Sequence, residues 1–485
     1  MNSRPARPER RARPECLKDG RAKPTLRKGM KIVENHCPRS RITALSAPIM
    51  QVNVGMIGGG TVGSGVYNAL HLNGGLLACR IGTRVKLRRI AVKAFDEPRP
   101  YAIPQSLMTT DWQAVVNDPK VDLVVELIGG TTLARTIILA ALKLGKPVIT
   151  ANKALLSAHG EELFAAAARS RANLYYEASV CGGIPIIKSL REGFVGNRIT
   201  HLYGIVNGTC NYILTRMKLE GAGFAEVLKD AQAQGYAEAE ASLDIDGHDA
   251  LHKVGILASL AHGFWVDPKK IHVEGIRHVT AMDIQFAQQL GYTIKLLGII
   301  KKTGPAHAPS PRIQVSVYPT LVPNSHVLAS VNHVFNAVFV RGDIVGDTLF
   351  YGRGAGKDAT ASAVLSDLAD AALDLKSGVR RLPPFVAHER EGVVAPIGEV
   401  VSRYFVRLNV VDVPGTLAQI TTIFGKSKIG ISSVIQPEGH EGASVPLILM
   451  LHDAPNGVVS AALKKVARLR VVKGPPVMLR VETFE

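Results

Sequence analysis

The sequence predicts an α/β chain: a doubly wound parallel sheet, then a mixed α+β domain, then a small βαββαβ domain. Three observations carry this. Short, β-branched apolar runs alternate with amphipathic helices from residue 50 to about 176. A Gly58-x-Gly60-x-x-Gly63 turn follows the first of those runs and opens a helix. Residues 401–485 read strand, helix, strand, strand, helix, strand, the order of a split-βαβ, ferredoxin-like unit.

Taken in order, residues 1–50 hold 13 Lys/Arg against 4 Asp/Glu, so +9 of the formal net charge of +18 lies in about a tenth of the chain. This stretch has several prolines and no apolar periodicity. It cannot bury enough surface to offset its ordering entropy, and residues 1–49 are expected to be disordered. Three readings stay open for it: a basic arm for nucleic acid, a targeting peptide that its prolines disfavour, or a chain whose true first residue is Met50.

VNVGMIGGGTVGSGVYNAL is a strand, a turn and a helix. RRIAVKA, VDLVVELIG and PVITA are near-continuously apolar, as buried parallel strands must be. TTLARTIILAALKLG is a helix that stops on Gly145. Residues 50–176 therefore form the expected Rossmann-type dinucleotide-binding domain. From 177 the pattern changes. ITHLYGIVNGTCNYILTRM is strand, turn, helix; FAEVLKDAQAQG and DALHKVGILASLAHG are helices; IQVSVYPTLV and NAVFVRGDIVGDTLFYG alternate as antiparallel strands do. Residues 177–372 are expected as one α+β domain, its end (about 350–372) returning to the first domain. KSGVRRLPPFVAHEREG makes 373–400 a linker, and 401–485 a separate unit.

The composition is globular, with 46% apolar residues. No apolar run reaches the roughly 20 residues a bilayer span needs, and no secretory h-region is visible. Five cysteines (Cys16, Cys37, Cys79, Cys181, Cys210) are scattered with no C-x-x-C. That points to a reducing cytoplasm without a disulfide framework or zinc site.

In the glycine turn, the first glycine permits a tight bend, the second lets backbone approach a pyrophosphate, and the third lets helix and strand pack closely. NAD sites usually place an acid at the end of the second strand. Here RRIAV runs into Lys93, and a cation suits a 2′-phosphate, so NADP is favoured over NAD. The second feature is GYAEAEASLDIDGHDALHK, residues 235–253, with five carboxylates and one closing lysine. Asp249 and Lys253 stand at i and i+4 and could be an ordinary helix ion pair; Asp246 could be the helix cap. Beside a dinucleotide fold a second reading opens. A lysine whose pKa is lowered by burial or a neighbouring cation can move a hydroxyl proton. Lys153, just past the strand PVITA, is a candidate for that cation. The acids would hold the ammonium group of an amino-acid substrate. Cys181 has no His or Asn arrangement to make it a nucleophile and reads as a buried structural thiol. His248 and His252 have no metal-ligand spacing.

With these motifs in order (VGMIGGGTVGSG, VVELIGGTT, VITANKALL, YEASVCGGIPII, VNGTCNYIL, GYAEAEASLDIDGHDALHK, YGRGAGKDATASAV), residues 50–485 resemble the homoserine dehydrogenases. VVDVPGTLAQITTIFGKSKIGISSV resembles an ACT domain, an amino-acid-sensing module. The resemblance implies NAD(P)-dependent interconversion of L-homoserine and L-aspartate 4-semialdehyde, in threonine and methionine synthesis. It implies Lys253, Lys153 and Asp249 as catalytic residues. It also implies Glu238, Asp244, Thr209 and Tyr236 at the substrate. Gly58, Gly60, Thr61, Val62, Gly63, Lys93, Thr131, Lys153 and Gly356 would meet the cofactor. A sodium ion would lie on backbone carbonyls of Glu177, Val180, Gly182 and Ile184. A homodimer or homotetramer, an effector such as threonine, a cytoplasmic setting, and no need of nucleic acid or membrane are further implications. Two departures stand out: Glu240-Ala241 replaces the usual Asp-Pro, loosening the loop, and Ala359 stands where proline is common. Two alternatives remain: another NADP-dependent reductase of amino-acid semialdehydes, or a non-catalytic ligand sensor on the same scaffold.

Overall fold

The structure is a computed structural model that describes residues 50–303, 311–389, 391–437 and 444–484; the basic stretch 1–49 lies outside the described residues. The first sheet holds β1 (Met50–Ile57), β2 (Thr83–Ala91), β3 (Met108–Thr109), β4 (Leu123–Glu126), β5 (Val148–Thr150) and β6 (Leu174–Tyr175) in the order β3-β2-β1-β4-β5-β6. All its pairings are parallel. The chain order reverses between β1 and β4, and such a switch point leaves a crevice beyond the strands' carboxyl ends. All four residues of β4 and all three of β5 are buried, which explains why neither alternates.

The helix Thr61–Ile81 leaves the glycine turn. The late helix Lys357–Ser377 lies with it on the same sheet. Ala361, Val364, Leu368 and Ala371 share one core with Val52, Val54, Met56 and Val66. That helix runs to Ser377 and stops on Gly378 in the left-handed conformation, so the expected linker does not begin at 373. The periodicity simply continues: Asp374 is buried and accepts a 2.7 Å hydrogen bond from Tyr175 Oη.

The second sheet has eleven strands. They are β7 (Ile199–Ile205), β8 (His272–Val273), β9 (Tyr292–Thr303), β10 (Arg312–Pro323), β11 (Phe335–Gly342), β12 (Gly346–Arg353), β13 (Val393–Val394), β14 (Val401–Val411), β15 (Ile431–Ile435), β16 (Ser444–Pro455) and β17 (Val477–Val481). Their order is β12-β11-β7-β9-β10-β17-β14-β16-β15, with β8 and β13 also pairing β10. The last four places hold the C-terminal strands in the order fourth, first, third, second, which is the expected split-βαβ arrangement. This unit is not separate, however. Its edge strand β17 pairs parallel with β10, Thr320 opposite Arg480 and Leu321 opposite Val481. An edge strand carries unpaired N–H and C=O groups, and β10 supplies partners for them.

Two ion pairs lock that seam. Arg480, 2% exposed, donates to Glu274 Oε1 and Oε2 at 2.8 and 2.9 Å and lies over the Tyr318 ring at 4.3 Å. Arg407 on β14 grips Asp283, which is fully buried and also closes a capping box with Thr280. Burial alone would raise the Glu274 carboxyl, but His272 and Arg480 more than reverse this and hold it down to about 2. Among the described residues no helix is long and apolar enough to cross a membrane. Glu274→Ala strands the buried Arg480 guanidinium. It is expected to destabilise the protein by about 3 kcal/mol, read as a fall in melting temperature that Glu274→Gln reproduces only in part.

Candidate active site

The glycine turn sits at the carboxyl end of β1. Gly58 has φ of 109°, and a Cβ there would lie 2.7 Å from Leu127 O. A Cβ on Gly63 would collide with Gly58 O, whereas Gly60 has nothing within 4 Å. One glycine is thus required by backbone angle, one by helix–strand packing, and one leaves open space where a pyrophosphate would approach. Thr61 and Val62 begin the helix, whose first N–H groups face that opening. Thr131 follows Gly129 and Gly130, both at positive φ, in the loop after β4. Gly356, at φ 119°, precedes the helix Lys357–Ser377. Lys93 is exposed two residues beyond β2. Arg99, which sequence reading passed over, donates Nε to Gly59 O at 3.1 Å and ties the 94–99 loop under the turn with three further carbonyl contacts.

Three chain segments meet at Asp249. The first is the helix Lys153–Arg169, whose cap Asn152 accepts from Leu155 N at 3.1 Å, so that Lys153 is its first residue. The second is the helix His248–His262, which carries Asp249 and Lys253 one turn apart. The third is the helix Gly208–Glu220, capped by Asn207. Lys253 Nζ donates to Asp249 Oδ2 and to Val206 O, both at 2.7 Å. Lys153 Nζ lies 3.1 Å from Asp249 Oδ1. Asn207 Nδ2 reaches Asp249 Oδ2 at 2.9 Å and Asp244 Oδ1 at 2.7 Å. One carboxylate therefore serves two ammonium groups and a carboxamide. Asn207 was missed in the sequence because a VNG turn reads as a helix cap, and it is one; its other amide end makes it part of the site.

The electrostatics differ from the sequence expectation. Burial alone would lower the Lys253 pKa, but the Asp249 carboxylate outweighs it and the net direction is upward. The expected lowered lysine is thus corrected: burial lowers it, but contact with the Asp249 carboxylate at 2.7 Å outweighs that desolvation. Asp249 moves oppositely. Its burial would raise it, while Lys253 and Lys153 hold it well below the carboxylate range. Lys253 is buried, but the Lys153 side chain is 35% exposed and open to a ligand.

The remaining predicted residues are distributed around this centre. Thr209 Oγ1 donates to Tyr236 O at 2.9 Å, and the Tyr236 ring, 45% exposed, packs on Tyr212. Glu238 is exposed in the 235–241 turn, and no described residue hydrogen-bonds its carboxylate. Asp246 is not a helix cap: Gly247 takes that place without a side-chain bond, and Asp246 pairs with Arg277. The missing counter-charge thus comes from 31 residues away, beyond the reach of local spacing. Glu240 accepts from Ser242 N at 3.1 Å and from its hydroxyl, at the start of the short helix Ser242–Ile245. Cys181 is buried with φ of 52°, and burial pushes its thiol pKa up.

The 177–185 loop after β6 is almost wholly buried. Its Glu177 carboxylate, pushed up to about 7 by burial, turns to Ile187 N and Lys188 N at 3.1 and 2.6 Å, which leaves its carbonyl rather than its side chain for a ligand. Ile184 O accepts from Ile186 N at 2.8 Å, and no described donor reaches Val180 O or Gly182 O. Buried carbonyls with lone pairs to spare fit a hard cation. Among the described residues no cluster of three His, Cys, Asp or Glu could hold a metal.

Two family models match the chain: homoserine dehydrogenase, NAD binding domain, over residues 58–177, and homoserine dehydrogenase over residues 185–369. A homoserine dehydrogenase of Pseudomonas aeruginosa is 42% identical over 437 residues, 89% of this chain and 99% of that protein. The crystal structure of a homoserine dehydrogenase from Thiobacillus denitrificans is similar with a TM-score of 0.83 at 40% identity, covering 89% of this chain and 98% of that one. A hyperthermophilic archaeal homoserine dehydrogenase in complex with NADPH is similar with a TM-score of 0.55 at 26% identity, covering 67% of this chain and 98% of that one.

The Asp249 cluster makes a pH prediction whose sign follows from the two shifts. Asp249 is lowered from 3.8, so its stabilisation is present above that value and lost as pH falls through the folded-state one. Lys253 is raised from 10.5, so its contribution is present below that value and lost as pH rises further. The melting-temperature gap between the native protein and Asp249→Asn is expected to be widest between about pH 5 and 9 and to narrow at both ends. A gap that stays constant from acid to alkali would refute the ion-pair account.

Proposed function

This chain belongs to the homoserine dehydrogenase family, an oxidoreductase of amino-acid biosynthesis with an NAD(P)-binding domain and a small-molecule substrate, and from that premise we propose which of its residues carry the reaction. Lys253 is the proton donor and acceptor. Asp249 keeps it charged, and Lys153 is the exposed cation that meets substrate and nicotinamide. The observation that carries this is one buried carboxylate held between two lysines beside the crevice of the dinucleotide fold.

The bound cofactor supplies or takes the hydride. In the reducing direction the Lys253 ammonium gives its proton to the aldehyde oxygen of aspartate 4-semialdehyde as charge builds there. An upward-shifted lysine is the protonated form that step needs. In the oxidising direction the amine form takes the proton of the homoserine hydroxyl. Asp244 and Glu238 bind the substrate ammonium, with Thr209 and Tyr236 bordering it; Glu238, whose carboxylate has no hydrogen-bond partner among the described residues, suits that role. Gly58, Gly60, Thr61, Val62, Gly63, Thr131 and Gly356 contact the dinucleotide. Lys93 favours NADP through the 2′-phosphate, in line with the NADPH complex of the archaeal relative. The carbonyls of Glu177, Val180, Gly182 and Ile184 would hold a sodium ion that stiffens the loop.

The C-terminal unit is read as an ACT domain that senses an amino acid such as threonine, since its topology fits and it is joined to the substrate domain through β17. The protein works as a homodimer or homotetramer in the cytoplasm. Supporting assembly, the edge strand β12 turns Leu349 and Tyr351 outward, 42% and 54% exposed. The sensor-only alternative is disfavoured because Lys253 and all three glycines are present.

The test is homoserine oxidation with NAD and NADP side by side. Lys253→Ala is expected to lower kcat by at least about 100-fold while NADPH still binds; near-normal turnover would sink the assignment. Lys93→Ala is expected to cut the NADP-over-NAD preference by roughly 10-fold. Millimolar threonine is expected to inhibit the intact protein.

A further inference from the structure

A second carboxylate lies within the same fold and has no place in the scheme above. Glu126 ends β4, is fully buried, and forms no ion pair with a cation among the described residues. Its two oxygens are divided between two loops. Oε1 accepts from Ile128 N at 2.8 Å and Gly129 N at 3.2 Å, in the loop that leads to Thr131. Oε2 accepts from Thr150 Oγ1 at 2.6 Å. Thr150 Oγ1 in turn accepts from Asn152 N at 3.0 Å. Asn152 then faces both ways: its Oδ1 caps the Lys153 helix through Leu155 N, and its Nδ2 returns to Gly130 O at 2.7 Å. With the covalent link from Gly130 back to Gly129, the bonds close a ring, Glu126–Thr150–Asn152–Gly130–Gly129–Glu126, that spans the carboxyl ends of two adjacent strands.

We propose that Glu126 is a positioning residue for hydride transfer, which acts through Thr150 and Asn152 to set the 128–131 loop and the first residue of the next helix, Lys153, relative to each other. It touches neither substrate nor cofactor. This rests on the reading of Lys153 as the exposed cation of the active site. The argument is one of cost and geometry. A carboxylate with no cationic partner is expensive to bury, and burial pushes this one up. A strand end needs no such group for packing, since Leu123, Val124 and Val125 already fill that strand with apolar side chains. What the carboxylate uniquely provides is two acceptor oxygens pointing to opposite loops. Thr150 must give its proton to Glu126 to keep its lone pair for Asn152 N. That gives the bonds of the ring a consistent direction and fixes the Asn152 cap from which the Lys153 helix starts.

The experiment compares Glu126→Gln, Thr150→Val and Thr150→Ser in the full chain by steady-state homoserine oxidation and thermal melting. Gln can still accept from the loop at one end, but its amide nitrogen opposes the Thr150 hydroxyl at the other. Thr150→Val keeps volume and removes the bond. Both are expected to lower kcat by about 10- to 100-fold, the effect of a misplaced reacting geometry. KM for the dinucleotide should rise by a smaller factor than kcat falls, because the glycine turn keeps its contacts while the loop bearing Thr131 and the start of the Lys153 helix shift. Thr150→Ser should recover most of what Thr150→Val loses. Combining Glu126→Gln with Thr150→Val should cost little more than either alone, since both break one ring. Unchanged kcat in a folded Glu126→Gln protein would overturn the proposal. So would a loss that Thr150→Ser fails to recover, or one in which dinucleotide KM rises as much as kcat falls. Loss of the Lys253→Ala effect would instead strike at the underlying assignment, so the two failures are separable.

Discussion

The structure turns on one carboxylate. Asp249 is nearly inaccessible to water and holds Lys253 on one oxygen and Lys153 on the side of the other. Two ammonium groups this close would repel, and a buried lysine alone would shed its proton; the shared carboxylate removes both problems. The price is geometric, because three helices from distant parts of the chain must start or pass at one point. Their caps achieve this. Asn152 places Lys153, Asn207 reaches across to Asp249 and Asp244, and Gly247 turns the chain so that Asp249 and Lys253 face inward.

On the proposed role of Lys253 as proton carrier, the direction of its shift bears on how the chemistry would run. A lysine poised near neutrality would serve either direction equally. A lysine held protonated by Asp249 is an acid first, suited to the reducing step, in which an aldehyde oxygen gains negative charge as hydride arrives. Oxidation then requires the proton to leave a site where Asp249 opposes its loss. Lys153 works against that hold, because its own charge lies on the same carboxylate.

Much of this was legible in the residues. Period-two and near-continuous apolar runs identified both sheets, and the glycine spacing located the crevice, because these signals are local. The acidic run was also visible, but sorting its members was not. Asp246 reads as a cap from its position, and only the fold brings Arg277 to it. Asn207 and Glu126 were passed over for the same reason: each looks ordinary in its own stretch and acquires a role from segments tens of residues away. The pKa direction of Lys253 failed too, since spacing shows that Asp249 is near but not that it comes within 2.7 Å in a dry site. Electrostatics of that kind depends on distance and burial, and neither is written in spacing.

The sequence also hid how the C-terminal unit is attached. A βαββαβ pattern implies a free-standing module, yet β17 extends the central sheet and Arg480 is buried against Glu274. Glu274 begins a short segment in which Ile276 N donates to Ile245 O at 2.8 Å and Arg277 grips Asp246. Those two acceptors lie between Asp244 and Asp249. The seam that fixes the last unit therefore ends on the backbone between Asp244 and Asp249, the acids proposed for the substrate site. A shift of β17 along β10 would move Arg480 against Glu274, and a buried bidentate pair has little tolerance for such a slide. Of the two ion pairs at this seam, Arg407 holds Asp283 at the start of the next helix, whereas Glu274 belongs to the segment that hydrogen-bonds residues 245–246 directly, so a displacement of the C-terminal unit at Arg480 has a short covalent and hydrogen-bonded route to the acidic segment.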